Sequence, residues 1–201
     1  MTEKNAEFPK MLQWRKMVLH PHDSKQFWSQ KFYEYYKTKF KICLQCNPKR
    51  ICEIGVRWGY SAFSFLWANP AAEYTGLDII AGTHGGVNNT DTFDYVEQKL
   101  KQYFPQAKVR LIHVNTQQLE FIDGPYDFIH IDGDHSIKGA YHDIRLAFSS
   151  IEKGGHLLID DYDYIAGVHN AAERFIHQYD SVIHAQLFDS LRGDLLITRK
   201  E

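Results

Sequence analysis

The chain has 201 residues, 44% of them hydrophobic and 24% charged, with a formal net charge of -2. That size and balance suit one globular unit able to bury a core, and the near-neutral charge argues against the basic footprint of a nucleic-acid binder. No apolar run approaches the roughly 18 residues needed to span a bilayer, and the polar opening MTEKNAEFPK has no signal-peptide centre, so a cytoplasmic protein without membrane or nucleic-acid partners is expected.

Residues 1–47 read as an aromatic helical segment. Trp28, Phe32, Tyr35, Tyr36 and Phe40 recur at three-to-four-residue spacing and share a helix face, and His22-Asp23-Ser24 supplies N-cap chemistry before it. Such a face packs on the core, closes over a pocket as a lid, or forms a homodimer interface; the residues leave these open. Lys31, Lys37, Lys39, Lys41, Lys49 and Arg50 read as its solvated side. Cys43 and Cys46 form a C-x-x-C pair with no second ligand pair, so neither zinc binding nor redox chemistry is expected.

From Arg50 the pattern alternates. Strands are expected at Arg50–Val56, Tyr74–Asp78, Val109–Val114, Tyr126–Ile131, His156–Ile159, Val182–Phe188 and Asp194–Thr198. Helices are expected at Ser61–Ala68, Asp91–Phe104, Ile137–Ile151 and Val168–Tyr179, with Gly154-Gly155 as a stop. The last two strands have only a turn between them and must form a hairpin. The implied fold class is α/β: a Rossmann-like, doubly wound, mostly parallel seven-stranded sheet with an antiparallel edge strand over residues 48–201, preceded by the helical segment.

Ligands of open parallel sheets sit beyond the carboxyl ends of the strands. After the first strand comes Glu53-Ile54-Gly55-Val56-Arg57-Trp58-Gly59-Tyr60-Ser61-Ala62, a glycine turn into a helix. Its spacing is G-x-x-x-G rather than the G-x-G-x-x-G of dinucleotide sites, and Arg57 and Trp58 crowd the phosphate position, which argues against NAD. Glu53 suits an ammonium group, Asp78 at the end of the second strand suits ribose hydroxyls, and Asn115 and Thr116 after the third suit an adenine edge.

This segment resembles the first motif of the catechol and caffeoyl-CoA O-methyltransferases, and of the macrocin-type sugar O-methyltransferases and cephalosporin-hydroxylase-like proteins. The resemblance runs from about residue 50 to 199. It implies S-adenosylmethionine as cofactor, with Glu53, Gly55 and Ser61 at its methionine part and Asp78 at its ribose; Arg57, Gly59 and Asp132 complete the expected cofactor set.

The fourth strand ends in Asp132-Gly133-Asp134-His135 and the fifth in Asp160-Asp161-Tyr162-Asp163. Asp132, Asp160 and Asp161 converge at one sheet edge and repel unless a cation sits among them; oxygen donors suit Mg²⁺ or another hard divalent ion. The resemblance implies the same trio as metal ligands and His135 as the base, with Asp132 beside it, acting on a hydroxyl of a small molecule such as a sugar or vicinal diol. His130 reads as a core residue, Asp134 and Asp163 as helix N-caps, and His142 and Asp143 as surface. A metal-independent methyltransferase, a non-catalytic S-adenosylmethionine-binding regulator and a hydroxylase-like activity stay open. The loop Gly82–Asn89 is expected to shape the acceptor pocket.

Overall fold

The computed structural model describes residues 7–20, 23, 25–79 and 91–201. The loop expected to shape the acceptor pocket, and His22 and Ser24 of the expected cap, lie outside them.

The sheet order is β3-β2-β1-β4-β5-β7-β6, with β1 Arg50–Ile54, β2 Glu73–Asp78, β3 Lys108–His113, β4 Tyr126–Ile131, β5 Ile151–Ile159, β6 Ile183–Phe188 and β7 Asp194–Arg199. The first five strands are mutually parallel, and β7 runs antiparallel to both β5 and β6. The closing hairpin thus inserts its second strand against β5 and leaves β6 at the edge. Strand order reverses between β1 and β4, the place where α/β sheets open a ligand crevice.

The helices are α1 Met11–Val18, α2 Gln30–Cys46, α3 Tyr60–Ala68, α4 Asp91–Tyr103, α5 Ile137–Ser150 and α6 Ala166–Tyr179. Alternation along the strands splits the core. Ile51, Tyr74, Phe128 and Leu158 pack with Trp14, Phe40, Phe65 and Leu100 from α1–α4, while Cys52, Ile129, Ile131 and Leu157 pack with Ile144, Ala147, Ala172 and Phe175 from α5 and α6. The aromatic face of α2 is therefore part of the main core, continuous with α3. Trp28 falls in a 3₁₀ turn before α2 and is 42% exposed.

β5 starts at Ile151, before the two glycines expected to precede it. Tyr126 pairs with Ile151 but Phe128 pairs with His156, so extra residues bulge out of β5 between those pairings, and Gly154 takes φ +77° there. Glycine tolerates that left-handed backbone, so the pair bends a strand instead of ending a helix.

Candidate active site

The turn after β1 is built by glycine. Gly55 has φ +88°, and a Cβ there would overlap the carbonyl oxygen of Asp132 at the end of β4. The close approach is made by the protein's own backbone, which welds the β1 turn to the β4 end. Gly59, at φ +73°, occupies the N-cap position of α3. Asp78 Oδ2 accepts hydrogen bonds from the amides of Val56 (2.8 Å) and Arg57 (2.9 Å), which fixes the turn and places Asp78 directly beside it.

The other expected cofactor residues turn elsewhere. Glu53 is fully buried, and its carboxylate is held by the hydroxyls of Ser61 and Tyr74, with His130 Nδ1 at 2.8 Å. Glu53 and Ser61 thus brace each other beneath the turn. Arg57 spends its guanidinium on Asp23, with contacts of 3.0 and 2.6 Å, and lies over the Phe27 ring. Asn115 accepts from the amide of Gln117, and Thr116 is buried with its hydroxyl on Asp143. Of these elements, the turn and Asp78 lie at the carboxyl ends of β1 and β2, where sheets of this kind bind ligands.

The acidic trio divides. Asp160 lies 2% exposed, and both its oxygens are engaged. Oδ1 takes the Lys39 ammonium at 3.0 Å and the Asp161 amide at 2.9 Å, and Oδ2 takes the Tyr35 hydroxyl. Lys39 also binds Asp194, lies 4.3 Å from the Tyr35 ring centroid and is fully buried, so it is no part of a solvated face. Burial opposes the charge on Asp160, but Lys39, His130 and the Tyr35 hydroxyl outweigh it and hold the carboxyl down at about 2. Asp160, expected as a metal ligand, thus spends three of a carboxylate's roughly four acceptor sites inside the protein, although it borders the same small cavity as Asp132 and His135.

His135 lies close to the other two acids. His135 Nε2 lies 3.3 Å from Asp132 Oδ1 and 3.7 Å from Asp161 Oδ2. One donor atom from each of Asp132, His135 and Asp161 lies within 4.8 Å of the others. Two carboxylates and an imidazole at that spacing fit a divalent ion, and the nitrogen moves the preference from Mg²⁺ toward Mn²⁺ and its first-row neighbours. Asp161 carries φ +59°, a strained backbone for a residue with a side chain and the kind of outlier that gathers at functional sites. Burial, then Asp160 and Asp132, push its carboxyl up to about 7, against the pull of Arg192 and His135. The hydrogen bond to Asp132 lifts the His135 imidazole above its usual range, and burial opposes it.

Three smaller expectations change. Asp143 is fully buried, not at the surface; it accepts from Thr116 Oγ1 at 2.7 Å, Gln117 Nε2 at 2.9 Å and the Asp134 amide at 3.2 Å. The N-cap of α5 is Ser136, which accepts from the Gly139 amide, while Asp134 accepts from the Ser136 amide just ahead of it. Asp163 does not cap α6, whose N-cap residue is Ile165. His130 is buried as expected.

A family model described as a methyltransferase domain matches residues 52–162, more than half of the chain. The chain belongs to the methyltransferase-domain family. The matched stretch of this methyltransferase domain runs from β1 through the Asp160-Asp161 turn. A methyltransferase of Podospora anserina bound to SAH superposes with TM-score 0.68 at 18% identity, over 96% of this chain and 89% of that one. An O-methyltransferase of Bacillus cereus in complex with SAH gives 0.63 at 17% identity, over 95% and 89% of the two chains. At these identities the likeness establishes the fold. An uncharacterised protein of Sinorhizobium fredii, y4gI, is 30% identical over 110 residues, which are 52% of this chain and 12% of that protein. The domain therefore corresponds to a small part of that relative's length. Among the described residues no helix is long and apolar enough to cross a membrane.

Proposed function

We propose that the protein transfers a methyl group from S-adenosylmethionine to a hydroxyl of a small molecule, a sugar or a vicinal diol, with a divalent cation held by Asp132 and Asp161. The observation that carries this reading is the contact between its two halves. The Gly55 turn, the cofactor side, touches the backbone of Asp132, the first residue of the acceptor side. A donor and an acceptor bound on either side of that contact lie next to each other, and positioning supplies much of the rate of an in-line displacement.

When bound, the cofactor supplies a sulfonium-activated methyl group, and the cation lowers the pKa of a hydroxyl. The chain's residues do the rest. Asp78 fixes the turn and offers an acidic edge to a ribose. Asp132 orients His135 through the 3.3 Å contact at Nε2, which leaves the other ring nitrogen, Nδ1, to take the hydroxyl proton. The buried Asp160 holds the Asp161 amide and so sets how Asp161 is presented.

A second reading is a metal-independent transferase. It is favoured by the basic side chain found beside each carboxylate: Lys39 at Asp160, Arg192 at Asp161 and His135 at Asp132. Methyl transfer from S-adenosylmethionine to a panel of catechols, hydroxy acids and sugars, with Mn²⁺, with Mg²⁺ and with EDTA, separates the two. The first reading expects turnover that EDTA abolishes; turnover indifferent to EDTA selects the second. Failure of calorimetry to detect S-adenosylmethionine binding in any of these conditions would overturn both.

A further inference from the structure

Arg192, in the turn between β6 and β7, is committed to two different kinds of partner. Its Nη1 lies 3.1 and 3.3 Å from the two oxygens of Asp161. Its guanidinium carbon also lies 5.4 Å from the Phe32 ring centroid, 5.9 Å from Tyr35 and 5.0 Å from Tyr164. Asp161 is 1% exposed as a side chain, whereas Arg192 is 24% exposed and Tyr164 is 64% exposed, so the arginine stands between a buried carboxylate and the open side of the site.

Charge arithmetic makes that position consequential. Asp132 and Asp161 together carry two negative charges, which a divalent cation cancels. Arg192 would then be a surplus positive charge beside a filled site, and the carboxylate it had neutralised would belong to the cation. The aromatic rings still hold the guanidinium face by cation–π attraction, while its N–H edge lacks an anion. A planar guanidinium with a vacant edge matches a carboxylate or phosphate bidentately.

We infer that Arg192 is a specificity-determining residue: it guards Asp161 before the cation arrives, yields it on cation binding, and then receives a carboxylate or phosphate carried by the acceptor. The acceptor class is thus an anionic hydroxylated molecule rather than a neutral sugar or diol. This rests on the proposed cation at Asp132 and Asp161.

Calorimetric titration of Mn²⁺ into the intact chain, as wild type, Arg192→Gln, Arg192→Lys and Asp161→Asn, tests the first half. Arg192→Gln removes the competing charge and is expected to tighten Mn²⁺ by about tenfold. Arg192→Lys keeps the charge and stays near wild type, and Asp161→Asn loses binding. Titration of the Mn²⁺-loaded, S-adenosylmethionine-loaded protein with 3,4-dihydroxybenzoate and with catechol tests the second half. Wild type is expected to prefer the benzoate, and Arg192→Gln to lose that preference. Mn²⁺ binding unchanged or weakened in Arg192→Gln overturns the inference while the cation reading survives. So does equal affinity of wild type for the two phenols. Mn²⁺ binding by neither wild type nor Arg192→Gln overturns the inference together with the cation site on which it rests.

Discussion

The ammonium of Lys39, in the middle of α2, lies 3.0 Å from Oδ1 of Asp160, at the carboxyl end of β5. Both are buried, and Asp194 at the start of β7 shares the same ammonium. One ammonium therefore ties α2, the central sheet and the closing hairpin to the turn that carries Asp161. Removing the cation leaves Asp160 charged in a place where water cannot reach it. Lys39→Met is expected to destabilise the protein by about 3–5 kcal/mol, the usual cost of breaking a buried pair on one side. Neutralising the partners as well, in Lys39→Met with Asp160→Asn and Asp194→Asn, is expected to recover much of that loss. Urea unfolding of the two variants checks it; equal stability of the single variant and wild type would contradict a charged Asp160.

Asp160 and Asp161 are adjacent in sequence and differ in their partners: Lys39 and Tyr35 hold the first, Arg192 the second. Asp161→Asn is expected to weaken Mn²⁺ binding by 10-fold or more, on the order of the loss caused by disturbing a ligand's environment. Asp160→Asn keeps one oxygen for Lys39 and the Asp161 amide and turns its NH2 toward the Tyr35 hydroxyl oxygen, so Mn²⁺ affinity is expected to stay within about threefold, well inside that loss. Reversal of the order in calorimetric titrations would return Asp160 to the ligand set.

Gly55 couples two elements through the space its missing side chain leaves. Gly55→Ala puts a methyl into the Asp132 carbonyl and a side chain on a backbone at φ +88°. The expected loss exceeds about 1 kcal/mol, because both the strain and the overlap act against the folded state. S-adenosylmethionine binding is expected to weaken as well, since the turn and the β4 end must part. A thermal melt and a calorimetric titration of the variant measure the two effects.

Asp143 gives the fold a pH dependence apart from the site. Burial pushes its carboxyl from 3.8 up to about 6, against the hydrogen bonds from Thr116 and the Asp134 amide. Between those values the folded state keeps a proton that the unfolded state has released. The contribution of Asp143 to stability is therefore lost as pH rises through about 4 to 6, by about 3 kcal/mol for a shift near two units. Asp143→Asn removes the titration, so its stability relative to wild type is expected to rise by that order from pH 4 to pH 7. A difference between the two proteins that stays flat across this window would show that Asp143 titrates normally.

The strand-turn-helix of Glu53–Ala62 and the acids after β4 and β5 were legible because their signals are local: a glycine spacing, and polar residues directly after apolar runs. Lys39 was not, although Tyr35 and Lys39 are four residues apart and so share a helix face. Its cost of burial is offset by carboxylates more than a hundred positions away, and a partner at that separation exists only once the sheet has formed. Asp143 hides in the same manner, on the buried face of α5 with Ala140, Ile144 and Ala147. The strand bulge at Gly154 was misread because paired glycines signal a helix stop as readily as a kinked strand.

The proposed cation site next to the cofactor turn uses Asp132 and Asp161, with Asp160 held by Lys39. Anomalous diffraction at the manganese edge, from crystals grown with Mn²⁺ and S-adenosylhomocysteine, tests it directly. One strong peak is expected within about 2.5 Å of carboxylate oxygens of Asp132 and Asp161, with Lys39 still on Asp160. A peak ligated by Asp160, with Lys39 displaced from it, would return Asp160 to the cation site.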